Sequence, residues 1–149
     1  MLPVICLHLI LAAVIAVVGR RCSRRTTLGL ALVAPAVGAA WAIGRIGPVL
    51  DGAEPHQSLT WVDGLDLGIS VRLDGFALVM ALVVTFIGTL VLLYSQGYFA
   101  TDVDRARTAR FASGFVAFAG SMLGLVLADD VWTLFVFWEA TSFTSFVLI

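Results

Sequence analysis

An all-α integral membrane fold, with about five transmembrane helices and a short external β-hairpin between the second and third, is what this sequence predicts. Three features lead there. Long apolar runs recur along the chain, and 60% of its 149 residues are hydrophobic. Only 13% are charged, about half the share in a soluble domain. The nine basic residues, all arginine, lie almost wholly on one side of the membrane that those runs define.

The first run, Leu2 to Val18, is followed by Arg20, Arg21, Arg24 and Arg25 and preceded by no basic residue. A cleaved leader has the opposite flanks, so the run reads as a retained helix with its N-terminus outside. His8 falls near the outer end, where an interfacial position would satisfy it. Cys6 and Cys22 are about 24 Å apart along a helix, beyond disulfide reach.

The second span covers residues 26–43, with Pro35 inside it and small residues (Gly29, Ala34, Gly38) suited to close helix packing. Residues 45–74 form the polar segment. Gly47-Pro48, Asp51-Gly52 and Asp63-Gly64 are turn signals. Leu59–Val62 and Leu67–Leu73 alternate apolar and polar residues, as the two strands of a hairpin would. His56 reads as a loop residue.

Residues 75–94 are the third span, opened by Asp74 as N-cap and anchored by Tyr94 and Tyr98. A polar loop, Gln96 to Ala109, carries arginines and leads to the fourth span, 111–128. Asp129-Asp130 is the next turn, and 131–149 is the fifth span. This threading leaves Arg45 and Arg72 as the basic residues outside. Arg20, Arg21, Arg24, Arg25, Arg105, Arg107 and Arg110 fall inside, as the positive-inside rule requires.

The chemistry concentrates in the fifth span. Glu139 lies eight residues after Val131, about 12 Å along a helix and near the midplane of a hydrocarbon layer about 30 Å thick. An ionised carboxylate there costs a few kcal/mol, so it is neutral, paired or facing water. Ser142, one turn on, and Ser145, a turn further, follow on the same edge. An acid with hydroxyls beside it has the composition of a proton relay. Taken alone, each serine reads first as a helix-packing residue, and Trp138 reads as a packing residue. A single intramembrane acid is too few for a complete transporter, whose relays chain several titratable groups. No cofactor motif or metal-ligand cluster is present, and no basic patch suits nucleic acid.

The run Leu73-Asp74-Gly75-Phe76-Ala77-Leu78-Val79-Met80, then Val91 to Phe99, resembles the N-terminal part of the antiporter-like subunits. These occur in respiratory complex I (chain 5, of NADH-quinone oxidoreductase) and in Mrp-type multisubunit cation/proton antiporters. The resemblance continues through Phe111, Met122-Leu123-Gly124 and Leu127-Ala128-Asp129-Asp130 to Phe137-Trp138-Glu139. The segment Thr141 to Phe146 looks most like the A-type subunit of Mrp antiporters.

The resemblance implies that Glu139 is the family's fifth-helix glutamate, partnered by a lysine on a later helix, and that the segment from Gln57 to Arg72 is an external hairpin clasping neighbouring subunits. It implies a plasma-membrane subunit exchanging protons for Na⁺ or K⁺, with other subunits as partners and no cofactor of its own. The lysine-bearing helices do not occur within these 149 residues, so the chain is expected to be an N-terminal part of such a subunit. Two other readings stay open: a proton-pumping subunit of complex I or of a membrane-bound hydrogenase, and a structural membrane fragment that transports nothing.

Overall fold

The structure is a computed structural model that describes residues 1–62, 67–98 and 104–149. In chain order it contains α1 (Leu2–Val18), α2 (Arg24–Ile43), α3 (Ile46–Leu50), β1 (His56–Val62), β2 (Leu67–Arg72), α4 (Gly75–Tyr98), α5 (Arg105–Val126) and α6 (Val131–Leu148). Helices α2, α4, α5 and α6 are long and apolar enough to cross a membrane, and α1 is a shorter apolar helix of 17 residues, about 25 Å at the helical rise. The helical membrane fold with one hairpin is therefore as expected.

Side chains set most of the boundaries. Ser23 caps α2 through Thr26 N–H at 3.2 Å, and Asp74 opens α4 by accepting from Ala77 N–H at 2.8 Å, the role its position predicts. Asp104 caps α5. The expected loop from Gln96 to Ala109 is shorter in the structure: α4 runs on to Tyr98, and Arg105, Arg107 and Arg110 lie on α5. Polarity ends a membrane crossing without ending a helix, and arginine and alanine are good helix formers. Within the external segment, Gly47-Pro48 belongs to the one-turn helix α3 rather than to an open turn, since proline is tolerated in a first helical turn.

Strands β1 and β2 pair antiparallel, His56 opposite Arg72 and Ser58 opposite Ser70, with an irregularity between Thr60 and Val62. The strands begin and end near the expected residues; the Asp63–Asp66 turn lies outside the described residues.

Helix α5 is central, packing on α1, α2, α4 and α6, while α2 packs on α4. Two apolar clusters fill the bundle. One, nearer the hairpin, includes Ile5, Ala42, Ala81 and Leu123. The other, nearer the arginine-rich end, includes Ala12, Ala34, Leu92 and Val116. Close approach relies on glycine: a β-carbon on Gly124 would overlap the ring of Phe137, and one on Gly114 would lie 3.2 Å from Leu148 Cδ2. These two contacts seat α6 on α5.

Candidate functional site

Of α6, only Thr133 and Phe137 are buried. Thr133 and Phe137 are one turn apart and define the face on α5. Glu139 is two residues from Phe137, some 200° around the helix, and is exposed on the opposite side. Ser142, Phe143 and Phe146 are exposed with it, and Ser145 is half-buried. Trp138 is 59% exposed, so within this chain it does not pack as expected.

The hydroxyls of α6 divide into two sets. Thr141 donates to Phe137 O at 2.7 Å and Thr144 to Ala140 O at 2.8 Å, both folded back on their own helix. Among the described residues, nothing is hydrogen-bonded to the Glu139 carboxylate, Ser142 Oγ or Ser145 Oγ. The structure thus leaves the acid and Ser142 on the outward side of α6, and Ser145 at the edge between that side and the buried face, free to engage groups beyond these residues.

A polar clasp holds the head of α6. Asp130 caps the helix, accepting from Thr133 N–H at 2.7 Å and from Thr133 Oγ1 at 2.8 Å. Thr133 Oγ1 in turn accepts from Ser70 N–H at 2.9 Å. Arg72 N–H donates to Leu127 O at 2.8 Å and Asp129 N–H to Ser70 O at 3.0 Å, so the α5–α6 turn extends the hairpin. The Asp129 carboxylate is 2.7 Å from Arg72 Nε and 3.2 Å from His56 Nε2. His56 is therefore not a plain loop residue: it opens β1 and also meets Ser70 Oγ at 2.8 Å. Reading Asp129-Asp130 as a turn missed this pairing, which joins residues far apart in the chain.

Thr133→Val is expected to remove about 1–3 kcal/mol, because it strands the Ser70 N–H and one Asp130 oxygen. Asp129→Ala is expected to cost about 1 kcal/mol, discounted for the exposure of Arg72 and His56. Thermal unfolding of the assembled protein checks both, and Thr133→Ser should restore most of the loss.

His8 departs furthest from expectation. It is not interfacial but fully buried among α1, α2, α4 and α5. Its Nδ1 lies 2.8 Å from Val4 O. Cys6 and Cys22 are free, as their separation predicted.

The fold and site define a multi-pass membrane helical bundle that presents a carboxylic acid on the outer face of a helix long and apolar enough to cross a membrane. Residues 59–111 match the family model described as NADH-ubiquinone oxidoreductase (complex I), chain 5 N-terminus. By this match and the similarities below, the chain belongs to the antiporter-like subunit family shared by complex I chain 5 and the A-type subunit of Mrp antiporters. It is 44% identical over 101 residues, 68% of its length, to a protein of Rhizobium meliloti (strain 1021) named as a probable K(+)/H(+) antiporter A/B subunit. It is 32% identical over 145 residues, 97% of its length, to a protein named as antiporter subunit mnhA2 from Staphylococcus aureus (strain MRSA252). The chain spans 10% of the first relative and 18% of the second.

Among solved structures, the Mrp complex from Dietzia sp. DQ12-45-1b contains a chain that matches 97% of this one at 30% identity, with a TM-score of 0.73, over 15% of that chain's length. A chain of the archaeal membrane-bound sulfane sulfur reductase matches with a TM-score of 0.74 at 19% identity, which shows the shared fold.

Proposed function

We propose that this chain forms the N-terminal helices of the A-type subunit of an Mrp antiporter, which exchanges protons for Na⁺ or K⁺, and that Glu139 is its intramembrane proton-relay residue. One observation carries the reading. α6 holds a carboxylic acid on a mostly apolar outward face, where lipid would impose a cost of a few kcal/mol on the charged form. The cost disappears if that face turns toward further helices bearing a cation or toward water. A lysine on a later helix of the same subunit is the partner the family resemblance suggests. Ser142 and Ser145, whose side chains have no hydrogen bond among the described residues, would carry hydrogen bonds between the acid and that path. Similarity to relatives named as antiporter subunits supports the same reading.

The experiment is reconstitution of the complex containing the full-length subunit into liposomes loaded with a pH-sensitive dye. Addition of Na⁺ or K⁺ should release protons from the lumen or draw them in, according to the gradient imposed. A complex that moves no protons with either cation would remove the proposal.

The charge distribution further supports a plasma-membrane orientation with the hairpin and the N-terminus outside. Cysteine introduced at Glu54, in the full-length subunit freed of other reactive thiols, should react with an impermeant maleimide in intact cells. Cysteine introduced at Arg107 should react only after permeabilisation.

The family model's description favours a second reading, a proton-pumping arm of a complex I-type redox assembly. In that case the subunits co-purifying with this chain would include iron–sulfur and flavin proteins, whereas small antiporter subunits would accompany it in the first.

A further inference from the structure

We propose that His8 is a second proton-binding residue of the bundle and that Nε2 is the atom that takes the proton. The inference begins with a layer. His8 sits on α1 between Ile5 of one apolar cluster and Ala12 of the other. At the same level the other three helices depart from apolar packing too. Gly38 falls between Ala34 and Ala42 on α2, Thr85 between Ala81 and Leu92 on α4, and Gly120 between Val116 and Leu123 on α5.

The glycines make room for the ring. A β-carbon on Gly120 would lie 2.6 Å from His8 Cβ, and one on Gly38 would lie 3.2 Å from His8 Cε1 and 2.7 Å from Thr85 Cγ2. An alanine at either position would press on the imidazole or its neighbour. Two helices have thus given up side-chain volume around a polar residue that an apolar one of similar size could replace.

The hydrogen bonding fixes the chemistry. Nδ1 lies 2.8 Å from Val4 O, and a carbonyl only accepts, so Nδ1 carries the hydrogen and Nε2 of the neutral ring holds the lone pair. That atom is buried and has no partner among the described residues. A histidine kept for structure would satisfy both nitrogens. One with its tautomer fixed by a backbone carbonyl and its other nitrogen left open is arranged as a base.

The charged groups of the surrounding helices lie about 10 Å or more along their axes. Arg24 and Arg25 on α2 are more than a dozen residues from Gly38, about 20 Å, and Arg45, just past the other end of α2, is seven residues from it, about 10 Å. Arg110 on α5 is ten residues from Gly120, about 15 Å, and Asp129 lies at a similar distance beyond it. Asp74 precedes Thr85 on α4 by about 16 Å, and Tyr94 follows it by about 14 Å. Cys6, on α1 itself, is exposed. The Met1 amino group at the head of α1 is bonded to Gln57 Oε1 at 2.9 Å, and Glu139 is on the face of α6 turned from α5. No fixed counter-ion among the described residues therefore holds the ring permanently charged. The proton comes from water and returns to it: Nε2 forms an N–H bond with its lone pair, and Nδ1 keeps its hydrogen.

The role in transport rests on the function proposed above; proton binding itself does not, and the test separates them. The full-length subunit in its complex is labelled with ¹⁵N-histidine and titrated by solid-state NMR from about pH 9 to about pH 4, a window bracketing ordinary imidazole. Subtracting the spectrum of His8→Asn, whose amide can still donate to Val4 O, isolates the His8 signals; His8→Gln serves where the Asn variant does not assemble. The expected result is an unprotonated Nε2 at the alkaline end that becomes an imidazolium N–H as the pH falls. An Nε2 that stays unprotonated throughout, or that carries the hydrogen at pH 9, overturns the proposal. Titration of His8 in a complex that exchanges no cations would uphold the proton site and remove the transport reading instead.

Discussion

Glu139→Gln in the assembled complex is expected to lower proton-coupled cation exchange by about 100-fold or more, the scale of loss when a positioned proton-transfer group is removed. Glutamine keeps the size of the side chain and its capacity to hydrogen-bond, so assembly should be unchanged. What it loses is the ability to bind and release a proton. Because the carboxylate makes no hydrogen bond among the described residues, the substitution breaks none there. Glu139→Asp, which draws the acid back along α6, should retain part of the activity. Ser142→Ala and Ser145→Ala should each cost only several-fold, since water can replace a hydroxyl in a hydrogen-bonded path. The measurement is dye-reported exchange in proteoliposomes, with size-exclusion chromatography to confirm assembly. Wild-type exchange by an assembled Gln variant would end the role assigned to Glu139.

The second large effect concerns how α6 is held. Gly124 lies directly under the Phe137 ring, and Phe137 is the large apolar residue that α6 buries. Gly124→Leu is therefore expected to drive α6 off α5, with a loss of about 3 kcal/mol or more, at the upper end for overpacking. Gly124→Ala should cost about 1–3 kcal/mol. Phe137→Ala should itself cost about 3 kcal/mol by leaving a cavity. The two sites are in contact, so their effects will not add: Gly124→Ala combined with Phe137→Leu should be more stable than the sum of the single changes predicts. Thermal unfolding of the purified complex, with the yield of assembled complex alongside, reads all of these variants. Strict additivity would show that the two residues do not share the contact that seats α6.

The same contact explains why the candidate site was only partly legible in the sequence. α6 is apolar nearly all round, and a helix without a polar face gives no periodicity from which to choose its buried side. Glu139 could be recognised as an intramembrane acid from its place in the apolar run, but not the direction in which it points. That is set by Gly124 and Gly114 on another helix, which admit Phe137 and Leu148 and so turn Glu139 outward. His8 was misread for a related reason. Its depth follows from its position in α1, yet its burial depends on Gly38 and Gly120, which lie 30 and 112 residues further along the chain. Likewise, the union of Arg72 and His56 with Asp129 needed the hairpin to fold back onto the α5–α6 turn.

The membrane-spanning helices, the hairpin and the acid in the last span could all be read from the order of residues. Those features depend on local quantities: the length of an apolar run, alternation, turn residues and charge. The folded bundle was needed to show which face each helix buries, and which threonines fold back while the serines stay free. It was needed too to show that a histidine stands at the bundle's centre with one nitrogen unpartnered. Packing of one helix on another is governed by where small residues permit close approach, and that is a relation between distant parts of the chain.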